Sequence, residues 1–318
     1  MMEFTDYDEL DRIKEEGRYL LAVPKKGRLQ VETLNILDGS GLKFHREPRS
    51  DIALVDGSNI ALIFLPAADI PTFVGEGTVD MGITGRDQVA EHDAALPAGE
   101  VSNVEEFLDL EFGGCKLQVQ APVKSTYTSP EQLVGRTVVT SFTAITEAYF
   151  RKLEGVAPGD NMSTKIKYVG GSVETACNLG VADGIVDLVE SGTTMRLAGL
   201  GPIGTVLSTT AVMIKSRQAN MARKDNFDVL EWLGARIRGY IAAKKHVLCQ
   251  YNIPREQLSK ACVITPGKRA PTVTALEEEN WVAVSSMVVK KEIPRVMDEL
   301  TEVGATDILV LDIMNSRA

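Results

Sequence analysis

Glu174-Thr-Ala-Cys-Asn-Leu-Gly180-Val-Ala-Asp183-Gly-Ile-Val-Asp187-Leu-Val-Glu190-Ser-Gly192-Thr-Thr-Met195 is the stretch from which the fold of this chain is read. Its pattern predicts a helix, a turn, a short buried strand, then the hydroxyl turn Ser191-Gly192-Thr193-Thr194 opening another helix. Strand followed by turn and helix is the repeating unit of a parallel α/β sheet. The turn would offer backbone N–H groups, hydroxyls and the positive end of a helix dipole, a combination suited to a phosphate. Asp183 and Asp187 flank or sit in the strand just before it, and carboxylates there suit sugar hydroxyls or a magnesium ion. An ordinary βα turn with serine as N-cap is the competing reading of the same residues.

Outward from that stretch the same grammar continues in both directions. Toward the N-terminus, a short helix is expected over 5–16, closed by Gly17. Strand-like runs at Tyr19–Val23, Asp51–Val55, Ile60–Leu65 and Val79–Ile83 then alternate with helical segments, one carrying Leu29, Thr33, Ile36 and Leu37 on a single face. A second series covers strands at Lys116–Val123, Thr137–Ser141, Lys165–Val169 and Gly184–Val189, with helices at Thr146–Leu153, Ser172–Leu179 and Thr194–Leu200. Ile203–Ile214 is expected to return as one long strand. Ser216–Asp225 is polar and reads as a linker, and Phe227, Leu230, Leu233, Ile237 and Ile241 mark one face of a following helix.

Beyond that helix the order becomes β-α-β-β-α-β: His246–Ile253, Pro254–Ala261, Pro271–Leu276, Trp281–Val289, Pro294–Val303 and Asp307–Ile313. This is the ferredoxin-like split unit. The expected architecture is therefore α/β: two doubly wound, periplasmic-binding-protein-like lobes and a C-terminal ferredoxin-like regulatory domain. Lobe I would take 1–114 with 201–225 returning to it, lobe II 115–200, and the C-terminal domain 226–318. Ligands of such sheets sit at the carboxyl ends of the strands, in the cleft between lobes.

Bulk properties narrow the function classes. At 318 residues, 44% hydrophobic and 25% charged, the chain has ordinary globular composition and room for two or three domains. A net charge of −10 argues against bulk nucleic-acid binding. The acidic start lacks the pattern of a signal peptide and no apolar run reaches membrane-span length, so a cytoplasmic protein is expected. Cys115, Cys177, Cys249 and Cys262 show no paired spacing and read as reduced, mostly buried thiols. His45, His92 and His246 lie far apart, without the spacing of a zinc site. Walker A, GxGxxG and GxSxG patterns are absent, and no nucleophile with its base is evident.

Other turns add to the candidate set. Pro24-Lys25-Lys26-Gly27-Arg28-Leu29 puts three cations at a strand's carboxyl end, suited to a polyphosphate, or simply a solvated basic turn. Asp80–Asp87 ends a strand with Gly82 and Gly85, which let a ligand approach the backbone. Asp69-Ile70-Pro71 reads as a helix cap. Gly170-Gly171-Ser172-Val173-Glu174 is a second glycine-rich turn, where Glu174 can simply complement a helix dipole.

Together these segments resemble the ATP phosphoribosyltransferase family of the histidine pathway, in its long, fungal-type form. The match runs from Val23-Pro-Lys-Lys-Gly-Arg-Leu29 through Ala67–Val74, Asp80–Asp87, Phe112–Leu117 and Ser172–Leu200 to Thr265–Val273 and Gly304–Leu309. The resemblance implies a pentosyltransferase with ATP and phosphoribosyl pyrophosphate as substrates, a magnesium requirement, and L-histidine as inhibitor at the C-terminal domain. It also implies a homo-oligomer, dimer to hexamer, and no nucleic-acid or membrane partner. Ser191, Gly192, Thr193 and Thr194 would hold the 5-phosphate, Asp187 a ribose hydroxyl and, through substrate, the metal. Lys26, Gly27 and Arg28 would serve the polyphosphate, with Arg49 and Asp69 lining the cleft. Gly85, Glu174, Asp183 and Glu190 complete the substrate set, and Thr272 and Thr274 the regulatory one.

Lys116 stands where many relatives have arginine, and Ala270 where a hydroxyl residue is common. A non-catalytic solute-binding protein and a silent regulatory subunit are the alternatives. The first is disfavoured by the missing signal peptide, the second by two intact anion-binding turns.

Overall fold

The computed structural model describes residues 6–157, 159–218 and 226–317. In chain order the elements are α1 (Asp6–Glu15), β1 (Tyr19–Pro24), α2 (Arg28–Gly39), β2 (Ile52–Leu54), β3 (Ile60–Leu65), α3 (Ile70–Gly75), β4 (Met81–Gly85), α4 (Arg86–Ala95) and β5 (Val104–Asp109). Then come β6 (Cys115–Pro122), β7 (Thr137–Thr140), α5 (Thr143–Glu154), β8 (Lys165–Tyr168), β9 (Gly184–Val189), α6 (Thr193–Leu197), β10 (Leu200–Thr209) and β11 (Ala211–Ser216). The last are α7 (Asn226–Lys245), β12 (His246–Pro254), α8 (Leu258–Ile264), β13 (Thr272–Ala275), β14 (Trp281–Val289), α9 (Ile293–Glu302) and β15 (Thr306–Asp312). Most of the expected linker, 219–225, lies outside the described residues, as does the side chain of Phe227.

The first sheet has the order β2-β3-β1-β4-β11-β5. Strands β3, β1 and β4 run parallel, and β2, β11 and β5 are antiparallel to their neighbours. β1 is buried along its whole length, as its unbroken apolar sequence requires of a strand covered on both faces. Leu20, Ala22, Ala61, Ile63, Val212 and Ile214 form the core there. The second sheet is β10-β6-β9-β7-β8, with β9, β7 and β8 parallel and β6 and β10 antiparallel. Its core gathers Leu117, Val119, Val138, Phe142, Phe150 and Val186.

Two segments pass between these lobes, one after β5 and one after β10. They are tied side by side, with Leu110 N–H donating to the Ala211 carbonyl at 3.0 Å and Ala211 N–H to the Phe112 carbonyl at 2.9 Å.

Contacts among the described residues divide the chain into two units, 1–34 with 43–226, and 35–42 with 227–318. The second unit holds the sheet β13-β14-β12-β15, antiparallel throughout. The order realises the ferredoxin-like βαββαβ fold. Alternate residues Val247, Cys249, Tyr251 and Ile253 of β12 point to the helices and build its core with Val282, Val284, Val296 and Leu300. Gly304, at φ 90, ends the α9 segment where the sequence places a cap.

Several expectations needed adjustment. The stretch 203–214 is two strands, not one: β10 pairs with β6 in the second sheet and only β11 returns to the first, with Thr210 as the break. The return to lobe I therefore starts at Ala211 rather than at 201. The helix expected over Ser172–Leu179 is a single 3₁₀ turn, Val173–Thr175, because Gly180 and the following turn leave no length to propagate. α4 and β5 were not anticipated. Arg86–Ala95 is polar on nearly every face and carries no apolar stripe for periodicity to detect. Of the cysteines only Cys249 is buried; Cys115, Cys177 and Cys262 are partly exposed, and all four are free thiols. Among the described residues no helix is long and apolar enough to cross a membrane.

Candidate functional site

β9 lies between β6 and β7 in the second sheet and leads into the hydroxyl turn at its carboxyl end. Its first half is fully buried and its second half, from Asp187 onward, opens toward solvent. Past its carboxyl end Gly192 takes a left-handed conformation, φ 71, which favours glycine, and α6 begins at Thr193. Ser191 and Thr193 hydroxyls lie 3.0 Å apart, and Arg196 Nη2 reaches Thr193 Oγ1 at 3.4 Å. Thr194 is exposed beside them.

The two aspartates separate clearly. Asp183 sits before the amino end of β9, four residues or about 13 Å of extended chain from Asp187. Its carboxylate accepts the Thr137 N–H at 3.0 Å and the Tyr127 hydroxyl at 3.4 Å, a structural task that ties β7 to the loop after β6. Asp183 is thus not brought to the hydroxyl turn. Asp187 lies on the open half of the strand, in register with Gln118 of the neighbouring β6; burial pushes its carboxyl up to about 6, and the nearby Glu174 charge adds to the rise, against the Leu188 N–H that donates to it at 2.8 Å.

That shift has a consequence for pH. A carboxyl with a raised folded-state pKa binds its proton more tightly in the native state than in the unfolded chain. The stability it contributes is present below about 4 and is lost as pH rises through about 6. At most about 3 kcal/mol is involved, from roughly two units at 1.36 kcal/mol each. Asp187→Asn should flatten the decline in substrate-free stability between pH 4.5 and 7, read by urea melts at the two pH values. An unchanged slope would show that Asp187 is not the strained carboxylate.

The basic turn follows β1 in the first sheet. Lys25 Nζ is engaged with Asp51 Oδ2 at 2.6 Å, which leaves Lys26 and Arg28 to face the cleft. Arg28, at the start of α2, forms an ion pair with Glu190 from the end of β9. That pair joins the basic turn to the residue just before the hydroxyl turn, across the lobes.

Two cavities meet at this point. One, of about 520 Å³, is lined by Lys26, Gly27, Arg28, Gly85, Asp87 and Thr210. The other, of about 500 Å³, is lined by Lys116, Gln118, Ser191, Gly192, Arg196 and Thr209. Cys115 and Glu190 line both. Burial and the Asp87 charge push the Cys115 thiol up, while Arg28 draws it down. A basic compartment and a hydroxyl compartment sharing one wall suit two anionic ligands whose reacting ends meet there.

Other expected residues fall elsewhere. Gly85 ends β4 and lines the basic compartment; a side chain there would strike Asp87 Oδ1. Asp69 occupies the N-cap position of α3 but makes no side-chain cap bond, so the expected capping is not realised. Asp69 and Arg49 are exposed, Arg49 in a left-handed conformation at φ 72, and neither lines either cavity. Thr272 and Thr274 lie exposed on the edge strand β13, in register with Ser285 and Ala283. A separate cavity of about 230 Å³ in the C-terminal domain is lined by His246, Thr265, Lys268 and Glu292, without those threonines.

Arg196, Asp87 and Cys115 also line these cavities, beyond the residues the motifs point to. Arg196 had a legible signal, since it lies three residues after Thr193 on one helix face. Asp87 is buried, 5% exposed, and accepts the Thr209 hydroxyl at 2.8 Å, a partner far away in the chain. Among the described residues no group of three or more His, Cys, Asp or Glu could hold a metal ion.

Comparison with known proteins gives the family. A family model described as ATP phosphoribosyltransferase matches residues 66–239, and one described as HisG, C-terminal domain, matches residues 243–315. The chain is 55% identical over 307 residues to an ATP phosphoribosyltransferase of Schizosaccharomyces pombe, covering 95% of this chain and 97% of that protein. It is 55% identical over 300 residues to one of Yarrowia lipolytica, covering 94% and 97% respectively. The solved ATP phosphoribosyl transferase complex from Thermotoga maritima is similar at a TM-score of 0.55 and 24% identity, over 69% of this chain and 98% of that one. At that identity the likeness speaks for the fold alone.

Proposed function

Because this chain belongs to the ATP phosphoribosyltransferase family, we propose that it joins adenine N1 of ATP to C1 of 5-phosphoribosyl 1-pyrophosphate, the first step of histidine biosynthesis. The C1–N1 bond forms as the C1–oxygen bond breaks, and pyrophosphate leaves to give N1-(5-phosphoribosyl)-ATP. The observation that carries this reading is the pair of cavities sharing Cys115 and Glu190.

In this reading Ser191, Gly192, Thr193 and Thr194 hold the 5-phosphate and Asp187 a ribose hydroxyl, with Glu174 beside it. Lys26, Gly27 and Arg28 hold the polyphosphate, while Arg49 and Asp69 are candidates for the outer part of the ATP site. Displacement at an anomeric carbon passes through an oxocarbenium-like state and needs no enzyme nucleophile. It needs two anions held in line and a stabilised leaving group. The Arg28–Glu190 pair is the contact the incoming polyphosphate must replace.

Magnesium enters as the counter-ion of phosphoribosyl pyrophosphate. The residues present fit that role, because Glu190 lines the hydroxyl compartment and Asp187 lies in register with Gln118 of its wall, and magnesium commonly takes one or two carboxylates plus substrate phosphates. Histidine binding at the ferredoxin-like domain with inhibition, assembly from dimer to hexamer and a cytoplasmic location complete the proposal. The C-terminal family match supports the presence of that domain, and the remainder follows from what the family resemblance implies.

The test is direct. Protein mixed with ATP, phosphoribosyl pyrophosphate and magnesium should raise the ultraviolet absorbance of the adenine as N1 is substituted. L-histidine should slow that rise and bind in calorimetry. Folded protein without turnover would overturn the activity, and turnover indifferent to histidine would overturn the regulation.

A further inference from the structure

Helix α5 of the second lobe lacks a cap of its own. Its N-cap residue is Phe142, a buried side chain with no acceptor to offer. The first N–H groups of a helix have no partner inside the helix and must find one outside. Here the partner comes from the first lobe. Glu91 of α4 accepts the Ala144 N–H through Oε1 at 2.8 Å and the Ile145 N–H through Oε2 at 2.9 Å, with the Thr143 hydroxyl at 3.4 Å. A two-pronged carboxylate at the positive end of a helix dipole is a favourable arrangement.

Helix α4, which carries Glu91, is fastened at its start to a segment that crosses between the lobes. Arg86 N–H donates to the Thr210 carbonyl at 2.9 Å and Arg86 Nη1 to Thr210 Oγ1 at 2.9 Å. Asp87 N–H donates to Thr209 Oγ1 at 3.0 Å, and that hydroxyl donates back to Asp87 Oδ1 at 2.8 Å. Glu91 lies four residues further, about 6 Å along the helix axis. α4 therefore grips the crossover at one point and the second lobe at another.

Each end of this strut connects to one wall of the cleft. α4 continues β4, which pairs with β1, the strand leading into Lys26 and Arg28. α5 continues β7, which pairs in parallel with β9, the strand carrying Asp187 and the hydroxyl turn. Fixing α4 to α5 fixes the separation of the two anion-binding turns.

We propose that Glu91 is a positioning residue whose cap on α5 holds the two lobes at the separation at which both substrates can be bound together. It touches neither cavity. Without it the lobes spread, and only a fraction of molecules has the cleft at working width. Apparent affinity falls in proportion to that fraction, for both substrates alike. Molecules that do close still react at the normal rate.

The kinetic part of this inference rests on the transferase reading; the structural part does not. In substrate-free protein, hydrogen exchange at the Ala144 and Ile145 amides should be at least about tenfold faster in Glu91→Ala than in the parent. Under turnover the same variant should raise KM for ATP and for phosphoribosyl pyrophosphate together, by about tenfold, with kcat within about twofold. Glu91→Gln keeps one acceptor at the same reach and should restore part of both effects, whereas Glu91→Asp is too short and should resemble alanine.

If KM is unchanged while the melting temperature falls, Glu91 is only a local cap and the proposal is overturned. A fall in kcat at constant KM overturns it as well, as does unaltered amide exchange. Should the alanine variant not fold, the glutamine and aspartate variants carry the same comparison. An inactive parent protein would instead sink the transferase reading, leaving the exchange result to decide on the strut.

Discussion

Arg28→Ala should lower kcat/KM by about 30- to 150-fold, and Arg28→Glu by about a thousandfold or more. The alanine figure corresponds to about 2–3 kcal/mol, the range for charge-assisted hydrogen bonds to a polyphosphate, at 1.36 kcal/mol per tenfold. Reversal adds repulsion between the new carboxylate, its neighbour Glu190 and the incoming anion. Glu190 is half of an exposed pair, 46% and 56% exposed on the two side chains, so the resting ion pair itself adds little to stability. Thermal stability should stay nearly constant while activity collapses. Arg28→Lys should recover only part of the loss, because a lysine offers a point charge where the guanidinium offers a fork. Steady-state kinetics within fivefold of the parent for Arg28→Glu would rule out the basic turn as a substrate contact.

Gly184→Val should produce the largest loss of stability in the catalytic lobes, with Tm falling by about 5–10 °C. Gly184 opens β9, and a Cβ built there would stand 2.5 Å from Leu133 Cδ1 and 3.1 Å from the Gln120 carbonyl oxygen. The leucine can shift, but the carbonyl belongs to the neighbouring strand β6 and cannot. Overpacking a close-packed interior costs about 1–3 kcal/mol, and a rigid backbone neighbour puts this site at the upper end. For a unit of this size each kcal/mol is worth about 2–4 °C. Calorimetry giving less than a 2 °C change would mean that β9 is not packed as described. Activity should fall as well, because displacing β9 moves Asp187 and the hydroxyl turn together.

Much of this was legible in the residues. The run Tyr19–Pro24 is apolar without interruption, and only a strand covered on both faces tolerates that. The alternation in β12 and β14, inward at every second residue, follows directly from side chains pointing to opposite faces. The hydroxyl turn could be recognised because glycine at 192 permits a conformation that ordinary residues resist.

What failed to show in the sequence shares one cause. α4 has no apolar stripe, so its helix is invisible to periodicity, yet it carries Asp87 and Glu91. The break at Thr210 divides what looks like one strand, because nothing local tells β10 and β11 that they pair with different partners. Spacing favours Asp187 as the nearer to the turn but leaves Asp183 in the candidate set. Only the strand's direction in the sheet puts one at the structural end and the other at the open end.

The chain by itself thus determined the two α/β series, the ferredoxin-like tail and the positions of the basic and hydroxyl turns, since each depends on residues close together in sequence. Tertiary structure alone decided that the turns face one another through Arg28 and Glu190, that Cys115 sits where the cavities meet, and that Glu91 completes a helix in the opposite lobe. Those are contacts between residues tens of positions or more apart. Their existence depends on how two sheets stack about a crossover, which no local propensity encodes.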